Sequence, residues 1–212
     1  MDKIEKEPTG LLVRLFLLGA LSTVPAIILE QLGTVIFLDG LIGSETSMTA
    51  MVVDNFFIVG LSEELCKRFV LRRTTWGHPA FDHCFDAVVY AVVVSLGFAA
   101  LENIFYVFDT GLGTALLRAV TSIPGHCIFG IYMGHYYGMA KVAAYHADFA
   151  KSKSQMHKSL WVPAFLHGFY DFTASSSNDV LLVIFFVYIV VLDIFAIRSV
   201  RKYSREDRTL WH

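Results

Sequence analysis

Two adjacent glutamates and a lysine, E-E-L-C-K at residues 63–67, stand inside an otherwise apolar stretch. Glu63 and Lys67 are spaced i,i+4, and Glu64 and Lys67 i,i+3, so on a helix both carboxylates reach one ammonium. A charge at bilayer depth costs about 2.5–3.5 kcal/mol, so it needs a partner or a chemical role. Three further polar positions fall at a comparable depth in later apolar runs. They are Glu102 with Asn103 in F-A-A-L-E-N, His126 in P-G-H-C-I-F-G, and His167 with Asp171 in H-G-F-Y-D. The i,i+4 spacing of His167 and Asp171 suits an imidazole–carboxylate hydrogen bond. Carboxylates and imidazoles activate water and relay protons. Taken singly, each group also fits a structural role: a snorkelling ion pair, an interhelical hydrogen bond, a packing histidine. As a purely structural set they are expensive, because every buried ion must be paired and hydrogen-bonded. An internal polar cavity is the expectation.

The elements that must position these groups are membrane spans. The chain has 212 residues, 55% of them hydrophobic, with a mean hydropathy of +0.56. Ordinary soluble domains are about 45–50% apolar, and the excess here falls in blocks of the length that crosses a bilayer. The expected fold is all-α: one membrane-embedded domain over residues 1–212, a polytopic transmembrane helical bundle of about six spans. The spans are placed at 11–29, 51–71, 85–107, 116–139, 159–174 and 180–197. Residues 31–48 are mixed and glycine-containing, and are expected to form a loop with an interfacial turn. Fourteen basic residues then fall on one side: Lys3 and Lys6, Arg68 to Arg73, the lysines between 141 and 158, and the tail after span six. The opposite loops (31–50, 108–115 and 175–179) contain no Lys or Arg. By the positive-inside rule both termini are cytoplasmic.

Composition also excludes functions. A net charge of −2 gives no basic field for nucleic acid. Cys66, Cys84 and Cys127 lack metal or disulfide spacing and are expected as free thiols. The apolar run after the charged N-terminus exceeds a signal h-region and has no A-x-A-like end. No inverted repeat of the transporter kind is visible. Gly130, Gly134 and Gly138 form a small-residue face that lets a neighbouring helix pack close. His135, nine residues after His126, is expected to face away from it.

The polar motifs together resemble a known family. E-E-L-C-K (63–67) is similar to the E-E-x-x-K motif of the PrsW family of intramembrane proteases, and F-A-A-L-E-N (98–103) to its F-x-x-x-E-N motif. H-C-I-F-G-I-Y-M-G (126–134) resembles its His-then-Gly motif and H-G-F-Y-D (167–171) its H-x-x-x-D motif. They occur in the family's order, on consecutive spans two to five, and the match covers about residues 50–175. The resemblance implies a glutamate-dependent membrane endopeptidase of a prokaryotic cell membrane, distantly related to CAAX prenyl endopeptidases and bacteriocin-processing enzymes. It implies a membrane-anchored protein or peptide as substrate, since bacterial members cleave a membrane-anchored anti-sigma factor on its extracytoplasmic side. The CAAX relatives carry His in the second motif, where this chain has Glu102 and Asn103.

The expected chemistry is hydrolysis by a glutamate-activated water. Glu63 or Glu64 takes the proton, and the other acid pairs with Lys67 or Arg68. His126 holds or deprotonates the water, His167 oriented by Asp171 donates to the oxyanion, and Asn103 is a second donor. Glu102 fixes an imidazole or the water. No metal or other cofactor is expected. In a zinc-assisted variant Glu102, His126, His167 and Asp171 are acceptable ligand types, but the H-E-x-x-H signature is absent. The alternative reading is a proton-coupled transporter or channel that uses the Glu/His/Asp groups as a relay; a receptor or scaffold is third. No oligomeric state is read from the sequence.

Overall fold

A backbone in hydrocarbon must satisfy its own hydrogen bonds, and the apolar blocks of this chain do so as helices. The structure is a computed structural model that describes residues 6–42, 47–176 and 178–210. Helix α1 (Thr9–Leu21) and α2 (Thr23–Gly33) meet at Ser22, and α2 runs on as a π-helix over Thr34–Ile42. A second broken helix joins α3 (Met48–Val52), a π-helical segment Val53–Val59, and α4 (Gly60–Thr75). Four long helices follow: α5 (Asp86–Thr110), α6 (Leu112–Tyr145), α7 (Phe149–Ala174) and α8 (Asp179–Arg205). The starts of α3, α7 and α8 are capped: Ser47, Asp148 and Asn178 each accept a hydrogen bond from a backbone N–H of the first turn. Gly111, at φ 87°, makes the turn between α5 and α6.

Two expectations need correction. The loop placed at 31–48 is helical through Ile42, because the apolar run T-V-I-F-L continues the helix; residues 43–46 lie outside the described residues. The span placed at 159–174 is the second half of the 26-residue α7, and most of the polar stretch from Lys141 to Lys158 is helical too. Three bodies among the described residues are long and apolar enough to cross a membrane: Thr9–Gly40, Asp86–Thr110 and Asp179–Arg205. The helices that bear Glu63, His126 and His167 are not among them. Polar side chains lower their hydropathy; α4 alone carries Glu63, Glu64, Lys67, Arg68, Arg72 and Arg73.

Helix α5 packs against α1 on one side and α6 on the other, α7 against α6 and α4, and α8 against the outside of α6 and α7. The main core joins Leu11 and Leu15 of α1, Leu71 of α4, Tyr90 and Val94 of α5, and Met133 and Tyr137 of α6. The small-residue face of α6 meets α5 as its spacing requires: a Cβ on Gly130 would lie 3.0 Å from the Ala91 carbonyl oxygen. Gly168 plays the same part between α7 and the π-helical segment, where a Cβ would lie 2.7 Å from Phe56 Cα.

Glu7, near the start of the described residues, and Arg208 and Leu210, at their end, are held on one face. Tyr90 Oη bonds Glu7 and donates to the Ala80 carbonyl at 2.9 Å. Leu210 N donates to Asp82 O at 2.8 Å and Cys84 N to Arg208 O at 3.0 Å. Burial in this contact pushes the Cys84 thiol up to about 11, which keeps it in the unreactive thiol form.

Candidate active site

One helical turn of α4 brings Glu63, Glu64 and Lys67 onto the face turned toward α6 and α7. Lys67 Nζ donates to Glu63 Oε2 at 2.9 Å and to Glu64 Oε1 at 2.8 Å. The lysine and Glu64 are fully buried and Glu63 is 4% exposed. The ammonium also lies 4.0 Å from the centre of the Phe98 ring. Both acids therefore share Lys67. Arg68, the alternative partner, donates instead to the Met156 carbonyl at 2.9 Å.

The network crosses to α6 through His126, whose Nδ1 lies 3.1 Å from Lys67 Nζ. An ammonium has only donors, so Nδ1 accepts and the ring proton sits on Nε2. That nitrogen donates to Glu102 Oε2 at 2.9 Å. Of the two roles expected for Glu102, the one seen is fixing an imidazole. Its other oxygen accepts from Arg118 Nη2 at 2.5 Å, and the Arg118 guanidinium carbon lies 3.5 Å from the Tyr106 ring centre.

His167 enters from α7. Its Nδ1 is 3.0 Å from Glu64 Oε1 and 3.7 Å from Glu63 Oε2, and its ring stacks on Phe129 with centroids 4.7 Å apart. Nε2 lies 3.1 Å from Asp171 Oδ2, an ion-pair contact within one helical turn. Each imidazole thus turns Nδ1 toward the α4 cluster and Nε2 toward a carboxylate on the far side. The chain Arg118–Glu102–His126–Lys67–Glu64–His167–Asp171 runs unbroken through four helices.

A cavity of about 440 Å³ opens onto this network. Glu63, Glu102, Arg118 and Asp171 line it, with Glu30, Asn55 and Tyr106. Glu64 does not. The lining comes from α2, the π-helical segment, the first turn of α4, the C-terminal half of α5, the start of α6 and the end of α7, opposite the face where Glu7 and Leu210 are held.

Six of the sequence-selected residues, Glu63, Glu64, Glu102, His126, His167 and Asp171, are joined in this network together with Lys67. Asn103 is not: its Oδ1 is buried without a hydrogen-bond partner and it does not line the cavity. His135 stacks on Tyr203 of α8 at 3.8 Å, away from the site. Arg118 and Glu30 were missed. The signal was present for both, since each is a charge within an apolar run.

A helical membrane protein with paired acids and imidazoles around a buried cavity is the class that fold and site define. The chain's residues 7–197 match a family profile described as PrsW family intramembrane metalloprotease. Protease PrsW of Oceanobacillus iheyensis is 35% identical over 203 residues, which cover 95% of this chain and 87% of that protein. Protease PrsW of Geobacillus kaustophilus is 35% identical over 170 residues, covering 80% and 69%, and that of Bacillus subtilis 33% over 178 residues, covering 84% and 76%. No solved structure matches the chain. The chain belongs to the PrsW family, and it is an intramembrane protease, not the transporter of the alternative reading.

The family description implies a metal, and the donor set fits one. One ligand atom from each of Glu63, Glu64, His126 and His167 lies within 4.8 Å of the others. Glu64 Oε2 is buried with no hydrogen-bond partner, and an outer carboxylate on each imidazole is the usual support of a metal-binding histidine. Lys67 Nζ, 2.8–3.1 Å from Glu63, Glu64 and His126, stands in as the cation among three of these donors. Glu102 and Asp171, expected as ligands in the zinc variant, are instead those outer carboxylates.

Proposed function

We propose that this protease hydrolyses a peptide bond of a membrane-anchored protein with a water activated by Glu63. The observation that carries the assignment is access: Glu63 lines the cavity, whereas Glu64 is fully buried with Oε1 shared between Lys67 and His167. Glu63 takes a proton from water as the water oxygen bonds to the scissile carbonyl carbon. His167 lies behind the lining, and its Nε2–H, 3.1 Å from Oδ2 of the cavity-lining Asp171, donates to the resulting oxyanion once that carboxylate turns toward the substrate. Collapse breaks the C–N bond, and the proton held by Glu63 passes to the leaving amine. Glu64, Lys67, His126 and Glu102 hold Glu63 and His167 in register. A divalent cation held by Glu63, Glu64, His126 and His167 would supply Lewis-acid polarisation of the carbonyl and a more acidic water.

The chain termini and the cavity lie at opposite ends of the helices. With the termini in the cytoplasm, cleavage falls on the extracytoplasmic side, which suits a membrane-anchored anti-sigma factor as substrate in regulated proteolysis. The test is cleavage of a tagged single-span substrate in proteoliposomes. Wild-type protein is expected to cut it near the extracytoplasmic membrane boundary. Cuts confined to the cytoplasmic side would overturn the orientation.

A further inference from the structure

We infer that Arg118 is the substrate-anchoring residue of this protease, its Nε–H donating to a backbone carbonyl of the bound peptide near the scissile bond. The inference rests on the reading of the cavity as the reaction chamber. Arg118 lines that cavity beside Glu63, Glu102 and Asp171. Its guanidinium is fixed at one edge by Glu102 at 2.5 Å, with Ser122 Oγ 3.4 Å from the same nitrogen, and one face lies over Tyr106. Nε is buried and has no hydrogen-bond partner. A buried donor left unused is costly, and a fixed guanidinium loses little freedom when it forms one more bond.

The chemistry of the lining points to what that donor is for. An extended peptide presents N–H donors and carbonyl acceptors alternately. Glu30, Glu63, Glu102 and Asp171 are acceptors when ionised and can receive substrate N–H groups. A substrate carbonyl needs a donor. One hydrogen of the Asn55 amide goes to the Met51 carbonyl at 2.7 Å, and Arg118 is the cation among the lining residues. Nη2 is held by Glu102, and Nε is the buried donor without a partner that a peptide oxygen can satisfy. Arg118 thereby places the strand against Glu63 while neutralising the carboxylate that holds His126.

Steady-state cleavage by wild type and Arg118→Lys decides between anchoring and a purely structural role. Lysine keeps a positive charge for Glu102 but has no Nε–H fork. The expected result is a fall of at least tenfold in kcat/KM, carried by KM. A fall in kcat at unchanged KM would show that Arg118 only positions Glu102 and would overturn the inference. Binding of uncleaved substrate in a Glu63→Gln background gives a readout independent of turnover, where adding Arg118→Lys is expected to weaken binding about tenfold. Unchanged binding there also overturns it. Should Arg118→Lys not fold, Arg118→Gln takes its place in the same binding measurement. If Glu63→Gln cleaves like wild type, the assignment of Glu63 fails, and the KM comparison in the wild-type background still decides the role of Arg118.

Discussion

Lys67 Nζ and His126 Nδ1 lie 3.1 Å apart and tie α4 to α6 at the centre of the molecule. The contact makes the lysine a hub: the same ammonium holds Glu63 and Glu64 and fixes the tautomer of His126. Removing it leaves two adjacent buried carboxylates with His167 as their remaining partner. Breaking a buried pair from one side typically costs about 3–5 kcal/mol. Lys67→Met is therefore expected to lower the unfolding midpoint in detergent and to abolish cleavage. Unchanged thermal stability in Lys67→Met would show that the ammonium is dispensable to the cluster.

Gly168 sets the distance between α7 and the segment that leads into α4. A Cβ there would lie 2.7 Å from Phe56 Cα and 2.9 Å from the Asn55 carbonyl oxygen, both backbone atoms that cannot turn aside. Gly168→Ala should push His167 away from Glu64, now 3.0 Å distant. Overpacking of this kind costs about 1–3 kcal/mol, and a displacement near 1 Å in a catalytic group is worth about a hundredfold in rate. Cleavage by Gly168→Ala should fall at least tenfold while Gly113→Ala, which meets nothing within 4 Å, stays near wild type. Equal activities would contradict the close-packing argument.

Lys67 stands as a cation among donors that also fit a divalent metal ion. Cleavage by purified protein is expected to fall on prolonged chelation and to return with zinc, with Glu63, Glu64, His126 and His167 as the ligands. Full activity after chelation, with no stoichiometric zinc in the preparation, would leave Lys67 as the cation of the cluster.

The orientation is open to direct labelling. In a background lacking Cys66, Cys84 and Cys127, a single cysteine at Lys153 should react with impermeant maleimide only after the membrane is opened. One at Asp109 should react in intact cells. The reverse pattern would place the termini outside and the cavity on the cytoplasmic side.

Much of the site was legible because it is local. The i,i+3 and i,i+4 spacing of Glu63, Glu64 and Lys67, and of His167 and Asp171, states which side chains share a face before any tertiary contact is known. The glycine repeat of α6 likewise announced a close helix neighbour. What was hidden depends on how helices turn against one another. Arg118 and Glu102 meet across α5 and α6, sixteen residues apart, and nothing in either run names the other as partner. Which acid faces the cavity was also hidden. The π-helical segment Val53–Val59 ahead of α4 bonds i to i+5, so a face cannot be extrapolated through it at the α-helical angle. The helical extension over Thr34–Ile42 was missed for a related reason: a short apolar run carries no periodicity that separates helix from loop.

The central claim is that Glu63 is the water-activating acid and Glu64 its buried support. Single-turnover cleavage by Glu63→Gln and Glu64→Gln tests it most directly, with folding monitored by the unfolding midpoint. The account predicts that Glu63→Gln loses at least a thousandfold in rate while keeping substrate binding and losing less stability than Glu64→Gln. It predicts that Glu64→Gln, whose carboxylate serves Lys67 and His167, loses stability along with a smaller share of the rate. Cleavage by Glu63→Gln within tenfold of wild type would contradict it.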